Sequence, residues 1–248
     1  MNEVTREAGK IILSYSKNKN VEKKGEIDLV TAADKAAELY LFSRISELFP
    51  DDAIIAEEGN EKKGTSGNKW IIDPLDGTTS FAHGFPFYSV SVGLADHENT
   101  PILGIVYNPF FDEYFCAARG AGAWLNGEKI SVSREADFTQ TLIGTGFPYN
   151  RRIIMSRVLK RLENILFKVR DVRPTGSAAL DISYVACGRL DGYYEEGLKA
   201  WDMAAALCIL IEAGGVASDY HGNPVDIFRP ETVVSNGKIH SALLETLK

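Results

Sequence analysis

One ten-residue segment limits the fold of this chain more than any other, namely Trp-Ile-Ile-Asp-Pro-Leu-Asp-Gly-Thr-Thr at residues 70–79. Its apolar start predicts a short buried strand, and Pro74 predicts that this strand stops at Asp73, because proline has no N–H and a fixed φ. Gly77 lets another group approach the backbone closely, and the two threonines after it predict a short helix whose free N–H groups suit a phosphate. One turn therefore offers an anion site beside two carboxylates, those of Asp73 and Asp76.

Three other carboxylates lie at the ends of predicted strands and helices. Glu57 opens a pair of glutamates at the end of a predicted strand, residues 53–56, just as Asp73 ends the next strand. Asp34 lies in the first turn of a predicted helix, and Asp202 directly precedes an apolar helix. Each of them alone is typical of a solvated surface or of a helix cap. The ten-residue segment is different, because the whole string is specific enough that we favour a metal and phosphate site at residues 73–79.

The remaining pattern predicts a mixed α/β chain of two packed halves, residues 1–140 and 141–248. Apolar positions at helical spacing predict helices, and short apolar runs predict strands. Asn126-Gly127 is typical of a type I′ hairpin turn, since both residues tolerate positive φ. The predicted helices span residues 3–17, 32–49, 153–167, 178–187, 203–213 and 239–247. The predicted strands span residues 53–56, 69–72, 88–95, 102–107, 113–118, 191–195 and 232–235, with a meander over 88–118 and a surface loop over 58–68.

Charge and cysteine content exclude several classes of function. The 248 residues carry 34 acidic and 27 basic side chains, which disfavours broad contact with nucleic acid because such contact needs a basic face. The three cysteines form no CxxC pair and lie among apolar or small neighbours, which predicts buried free thiols in a reducing compartment. The longest strongly apolar stretch, residues 203–211, is too short for a bilayer span, and the N-terminus lacks a signal-peptide pattern. We therefore predict a cytoplasmic protein with no membrane or nucleic-acid partner.

Together these segments resemble the inositol monophosphatase family. The family's first motif, Asp-Pro-[Ile/Leu]-Asp-Gly-Thr-Thr, stands at residues 73–79, and its second, Trp-Asp-x-Ala-Ala followed by Glu-Ala-Gly-Gly, stands at residues 201–205 and 212–215. The segments Asp-Leu-Val-Thr-x-x-Asp, Glu-Glu, Gly-Ser-Ala-Ala and Tyr-Tyr-Glu also match in the family's order, so the resemblance covers nearly the whole chain. Ser80 stands where the family often has Asn, and Lys199 lies in a variable stretch, so the substrate stays open.

The resemblance implies an α/β fold of the αβαβα layered sandwich type. It further implies that a metal-activated water hydrolyses inositol monophosphate or a similar polyol phosphate, with two to three Mg²⁺ ions per site, inhibition by lithium, and a homodimer. The implied metal ligands, most of them in the first half, are Glu57, Asp73, the carbonyl of Leu75, Asp76 and Asp202. The implied catalytic residues are Glu57, Thr78 and Asp34, with a hydrogen bond between the last two. The implied substrate-binding residues are Asp76, Gly77, Thr78, Arg173, Gly176, Ser177, Ala178, Glu195 and Asp202.

Two alternatives stay open. The same chemistry could act on fructose 1,6-bisphosphate, a nucleotide 3′-phosphate, NADP or histidinol phosphate. The chain could instead act mainly as a regulatory binding protein of the transcription machinery. Such a role tolerates the loss of metal ligands, whereas every expected ligand is present in this sequence. The acidic net charge of -7 also disfavours direct contact with RNA.

Overall fold

The computed structural model describes residues 1–17, 22–23, 29–148 and 151–248. Asp28, which opens one of the matched segments, lies outside these described residues. The helices are α1 (Asn2–Ser14), α2 (Ala32–Leu48), α3 (Thr78–His83), α4 (Arg151–Leu166), α5 (Ala178–Ala186), α6 (Ala200–Glu212) and α7 (His240–Leu247). The strands are β1 (Glu22–Lys23), β2 (Leu29–Val30), β3 (Ala53–Ala56), β4 (Glu61–Lys62), β5 (Lys69–Asp76), β6 (Ser89–Ala95), β7 (Pro101–Asn108), β8 (Glu113–Ala118), β9 (Gly122–Leu125), β10 (Glu128–Lys129), β11 (Leu142–Thr145), β12 (Asp171–Arg173), β13 (Gly192–Glu196), β14 (Val216–Ser218) and β15 (Glu231–Ser235).

Eight strands form the larger sheet, in the order β10-β9-β8-β7-β6-β5-β3-β4. Strands β3 and β5 run parallel, whereas β6 to β8 form the predicted antiparallel meander, which β9 continues. The turn between β9 and β10 has positive φ at Asn126 (51°) and Gly127 (85°), as a type I′ turn requires. Helices α1 and α2 cover one face of this sheet, where Ile12, Leu41 and Ile45 are fully buried.

Five strands form the smaller sheet, in the order β12-β11-β13-β15-β14. Strand β11 runs parallel to both of its neighbours, and the other pairs are antiparallel. Helices α5 and α6 lie between the two sheets, and α4 and α7 pack on the outer face of the smaller one. The layers therefore alternate as helix, sheet, helix, sheet and helix, which confirms the predicted αβαβα sandwich.

Glycines set the distance between α6 and the larger sheet. Gly93 on β6 and Gly104 on β7 face the helix, and a Cβ atom added to Gly104 would lie 2.0 Å from the carbonyl oxygen of Ala205. The side chains of Ala204 and Ala205 are small and buried in this contact. Because the backbone of α6 contacts the backbone of the strands directly, the helix can pack at only one distance from the sheet. This distance fixes the position of its first residues.

Two predicted boundaries near the site are wrong. Strand β5 does not stop at Asp73 but continues to Asp76, because the chain pairs with β6 again after an irregularity in register. Helix α6 begins earlier than predicted, at Ala200, because the Asp202 carboxylate accepts the N–H of Lys199 and so forms part of the N-terminal cap. Both differences change the direction in which a carboxylate points.

Other predictions are met in part. All three cysteines are free thiols, and Cys208 is buried as predicted, whereas Cys116 and Cys187 are only half-buried. The predicted surface loop at residues 58–68 contains the short strand β4. Across the described part of the chain, none of the helices has both the length and the apolar character that crossing a membrane requires.

Candidate active site

Glu57 and Asp73 are neighbours because the strands that lead to them run parallel. The register of β3 and β5 pairs Ala56 with Ile72, and the N–H of Glu57 donates to the Ile72 carbonyl at 3.1 Å. Asp73 is 1 % exposed, and its Oδ1 accepts the N–H of Leu75 at 2.9 Å. Two carboxylates that are distant in sequence therefore meet at one edge of the sheet.

A bulge in β5 turns Asp76 to the same side of the strand as Asp73. Strand β6 pairs Ser91 with Asp73 and Ser89 with Asp76, so β5 carries one extra residue between these two pairs. In a regular strand, residues three positions apart point to opposite faces, and the extra residue removes this difference. Pro74 lies inside the bulge, one of the few places where a sheet tolerates proline.

Asp202 completes a cluster of three carboxylates. It lies in the first turn of α6, where its Oδ2 accepts the Lys199 N–H at 2.6 Å. One oxygen each from Asp73, Asp76 and Asp202 lies within 4.8 Å of the others. Within the described ranges, no other group of three ligand-type side chains is this close together.

Burial and mutual repulsion disfavour ionisation of these carboxyl groups. Burial raises the pKa of Asp73 well above its ordinary value, and the negative charges of Glu57, Asp76 and Asp202 raise it further. Burial also raises the pKa of Asp76 to about 6, although hydrogen bonds from Ser177 and α5 lower it. The pKa of Asp202 is raised by burial first and by the charge of Asp76 next. A divalent cation would offset this repulsion, and clustered carboxylate oxygens are the ligands that Mg²⁺ prefers, so these residues fit such an ion.

Thr78 links the cluster to helix α2. Its hydroxyl donates to Oδ1 of the buried Asp34 at 2.9 Å. The start of α2 holds the other oxygen of Asp34, which accepts the N–H and the hydroxyl of Thr31 at 2.8 and 2.5 Å. Burial raises the pKa of Asp34, whereas these hydrogen bonds lower it. The Thr78 hydroxyl also lies 3.1 Å from the carbonyl oxygen of Leu75, so that α2, α3 and β5 meet at this side chain.

Two glycine turns, one from each half of the chain, pack against each other beside the cluster. Gly77 has a φ of 90°, and a Cβ atom there would lie 2.8 Å from the carbonyl oxygen of Phe87 and 3.1 Å from that of Gly176. Gly176 has a φ of 91°, and its Cβ would lie 2.9 Å from Oγ of Ser80. A side chain at either position would push the turns apart, so both turns require glycine.

One cavity of about 530 Å³ connects these groups, a size typical of small-molecule sites. Its lining includes the carboxylate cluster, residues 77–80, residues 174–178 and Glu195. Burial raises the pKa of Glu195 to about 7, although a hydrogen bond from the Tyr193 hydroxyl lowers it. Gly146 leaves space for this carboxylate, because a Cβ atom there would lie 2.1 Å from Oε2 of Glu195.

The structure brings most of the predicted site residues to this cavity, and two of them do not line it. Arg173 is exposed, its guanidinium pairs with the Asp171 carboxylate at 2.5 Å, and it is not among the residues that line the cavity. Asp34 lies behind Thr78 and accepts the hydrogen bond from its hydroxyl. The predicted residues in the lining are Glu57, Asp73, Leu75, Asp76, Gly77, Thr78, Gly176, Ser177, Ala178, Glu195 and Asp202.

Sequence reasoning missed Asp181, which also lines the cavity. It lies in the first turn of α5, is 1 % exposed, and has no hydrogen-bond partner at Oδ1. Burial raises its pKa well above the ordinary value, hydrogen bonds from Thr175 lower it, and the charges of Glu195 and Asp76 raise it. The feature of the sequence that could have identified Asp181 is a single carboxylate within the apolar segment Ala-Ala-Leu-Asp-Ile.

Comparisons with known proteins point to one family. The chain matches the model of the inositol monophosphatase family over residues 1–248. It is 42% identical to inositol monophosphatase 2 of Solanum lycopersicum, with 99% of this chain and 95% of that protein covered. It is 43% identical to the inositol-1-monophosphatase of Synechocystis sp., with 97% of this chain and 84% of that protein covered.

Two further matches carry other names. Nus factor SuhB of Salmonella typhimurium is 38% identical, with 98% of this chain and 92% of that protein covered. The crystal structure of the extragenic suppressor protein suhB from Bartonella henselae is 38% identical and matches with a TM-score of 0.94. This match covers 100% of this chain and 96% of the other, so the two proteins share one fold throughout.

Proposed function

This chain belongs to the inositol monophosphatase family and is a phosphatase, and we propose that it hydrolyses inositol monophosphate or a similar small polyol phosphate with bound Mg²⁺. One observation carries the proposal. The cluster of Asp73, Asp76 and Asp202 lies beside the Gly77–Thr78 turn in a cavity large enough for a small phosphate ester. The same cavity thus offers oxygen ligands for a cation and N–H donors for a phosphate.

The residues that would hold the metal are all oxygen donors. Mg²⁺ keeps several waters and combines a few carboxylates with substrate phosphate, which suits two to three ions in a shared acidic cluster. When bound, such ions supply positive charge that polarises phosphate oxygens and makes water more acidic. The proposed ligands are Glu57, Asp73, the carbonyl of Leu75, Asp76 and Asp202.

Thr78 and Glu57 would orient the attacking water. The Thr78 hydroxyl donates to Asp34, so lone pairs of its oxygen remain to accept a hydrogen from that water. Glu57 lines the same cavity and supplies a second acceptor. With both of its hydrogens directed to fixed acceptors, the water presents a lone pair to phosphorus, and no covalent phosphoenzyme is required.

The two ends of the substrate would meet different groups. The N–H groups of Gly77 and Thr78 would hold the phosphate, because the positive φ of Gly77 opens the backbone at the start of α3. Glu195 would accept hydrogen bonds from hydroxyl groups of the alcohol. Asp76 would contact a hydroxyl nearest the phosphate, and the remaining proposed substrate contacts are Gly176, Ala178 and Asp202.

A substrate panel tests this proposal. Phosphate release is measured with Mg²⁺ from inositol 1-phosphate, fructose 1,6-bisphosphate, a nucleotide 3′-phosphate, NADP and histidinol phosphate. We expect the highest kcat/KM for inositol 1-phosphate, complete loss in EDTA, and recovery with Mg²⁺. Asp202→Asn serves as the inactive control that excludes a contaminating phosphatase. A large preference for the nucleotide would overturn the proposed substrate, and full activity in EDTA would overturn the metal requirement.

The similarity to Nus factor SuhB supports a second candidate function, a regulatory role in the transcription machinery. Asp202→Asn distinguishes the two functions, because it removes one charge in the cavity and changes no residue outside it. If cells that carry this variant keep the cellular role while the purified variant hydrolyses nothing, the role is regulatory. If both are lost together, hydrolysis is the function.

We also propose several properties that follow from the family alone. The protein forms a homodimer in the cytoplasm, and lithium inhibits it. Residues 1–140 supply most of the metal ligands, whereas residues 141–248 supply Asp202 and the groups that recognise the alcohol. Light scattering tests the dimer, and a lithium titration at fixed Mg²⁺ tests the inhibition.

A further inference from the structure

Ser177 has its hydroxyl fully engaged inside the protein. It is 1 % exposed, and its Oγ donates to Oδ2 of Asp76 at 2.5 Å. The same oxygen accepts the N–H of Leu180 at 3.3 Å, as the N-terminal cap of α5. A serine hydroxyl has a single hydrogen, so Ser177 has none left to donate to a substrate.

The Ser177 hydroxyl is one of two donors that hold the same carboxylate oxygen. The N–H of Ala179 donates to Oδ2 of Asp76 at 2.8 Å. With two hydrogen bonds already accepted at Oδ2, Oδ1 of Asp76 has more lone pairs free for a cation beside Asp73 and Asp202. The start of α5 therefore holds the Asp76 carboxylate in one orientation beside the cluster.

The turn that carries Ser177 is itself held in place. Oγ1 of Thr175 accepts the N–H of Ser177 at 3.4 Å. Gly176, which lies between Thr175 and Ser177, packs closely against Ser80. A Cβ atom at Gly176 would lie 2.9 Å from Oγ of Ser80. Ser177 therefore cannot turn away from Asp76 without disturbing contacts on both sides.

From this geometry we propose that Ser177 is a positioning residue that sets the metal affinity of Asp76, and that it does not bind the substrate. The proposal rests on the proposed function, since it assigns a partner to one of the proposed metal ligands. It replaces the expectation that Ser177 contacts the substrate. Asp76 lies on the larger sheet, and Ser177 caps the N-terminus of α5 between the sheets, so the contact ties the proposed metal site to the packing of the two halves.

Ser177→Ala tests the proposal through two separate measurements. Loss of an orienting hydrogen bond to a ligand typically lowers metal affinity by about 10–100-fold. We therefore expect the Kd for Mg²⁺, measured by calorimetry without substrate, to rise roughly tenfold or more. At saturating Mg²⁺, KM for the phosphate ester should stay within about twofold of the wild type, because no substrate contact is removed.

Ser183→Ala is the matched control. Ser183 lies on the same helix, is fully buried, and donates its hydroxyl to the Ala179 carbonyl at 2.7 Å, away from any carboxylate. It removes the same hydroxyl group from α5, so it should leave the Kd for Mg²⁺ unchanged. A second variant, Ser177→Gly, removes the hydroxyl at small cost to the helix cap and should reproduce the weaker Mg²⁺ binding if the alanine variant fails to fold.

The outcomes separate this inference from the proposed function. A raised KM with unchanged Mg²⁺ affinity in Ser177→Ala would show that Ser177 contacts the substrate and would overturn the inference. Equal loss of affinity in Ser183→Ala would also overturn it, because the effect would then be a general loosening of α5. If the wild type itself binds no Mg²⁺, the proposed function fails instead.

Discussion

Asp76→Asn is expected to stabilise the metal-free protein while abolishing its activity. Burial raises the pKa of Asp76 from 3.8 to about 6 in the folded chain. The folded pKa lies above the unfolded value. The contribution of the Asp76 carboxyl to the free energy of unfolding is therefore complete below pH 3.8, where the group is protonated, and it is lost as the pH rises through about 6. One pKa unit corresponds to about 1.4 kcal/mol, so at pH 8 ionised Asp76 weakens the metal-free fold by about 3 kcal/mol.

Asparagine has nearly the same shape and can still accept the hydrogen bonds from Ser177 and Ala179. For a domain of this size, about 3 kcal/mol corresponds to a rise in Tm of about 6–12 °C. The measurement is thermal unfolding in EDTA at pH 4.5 and pH 8, with the rise expected mainly at pH 8. Added Mg²⁺ should stabilise the wild type more than the variant, because the variant lacks one of the proposed ligands.

Asp96→Asn provides the control of opposite sign. Hydrogen bonds from the Thr100 N–H and other donors lower the pKa of Asp96, so its contribution to stability is present at high pH and is lost as the pH falls. This variant should therefore lower Tm at pH 8. Asp76→Asn could instead lower Tm in EDTA at pH 8, or raise it equally at both pH values. Either result would refute the explanation that the ionised Asp76 carboxylate weakens the metal-free fold.

Three further results are expected. Chelation of the wild type with EDTA at pH 8 should lower Tm, because a metal bound only by the folded state stabilises it, and an unchanged Tm would count against the metal cluster. Gly146→Ala places a Cβ atom 2.1 Å from Oε2 of Glu195 and should raise KM severalfold without changing Mg²⁺ affinity, as steady-state kinetics and calorimetry would measure. Gly104→Ala forces the Ala205 carbonyl away from β7 and should cost about 1–3 kcal/mol in urea unfolding, whereas an undisturbed stability would contradict the close packing of α6.

Local patterns in the sequence were sufficient to predict the elements around the site. The apolar run before Asp73 predicted a buried strand, and Gly77 with the threonines after it predicted the turn and the start of α3. These predictions succeed because proline, glycine and apolar spacing act on the backbone of their immediate neighbours. The layered fold followed from the family resemblance, since no local pattern specifies how two sheets stack.

The same local reasoning missed the bulge in β5 and the true start of α6. A bulge depends on the strand alongside it, here on the pairing of Ser89 and Ser91 with β5. The start of α6 depends on a carboxylate that turns back to the chain before it, whereas the apolar pattern begins only after Asp202. In both places a hydrogen bond to another segment, and not the pattern of apolar residues, sets the boundary.

The sequence by itself determined which residues could hold a metal and a phosphate, because residue types and spacing carry that chemistry. Only the tertiary structure decided which of them meet. The parallel pairing of β3 with β5 brings Glu57 to Asp73, and the glycine contact beneath α6 brings Asp202 to the same cavity. The tertiary structure also pairs the exposed Arg173 with Asp171 and brings the hydroxyl of Ser177 to Asp76. These outcomes depend on contacts between distant segments, which come from the packing of the layers and not from local conformational preference.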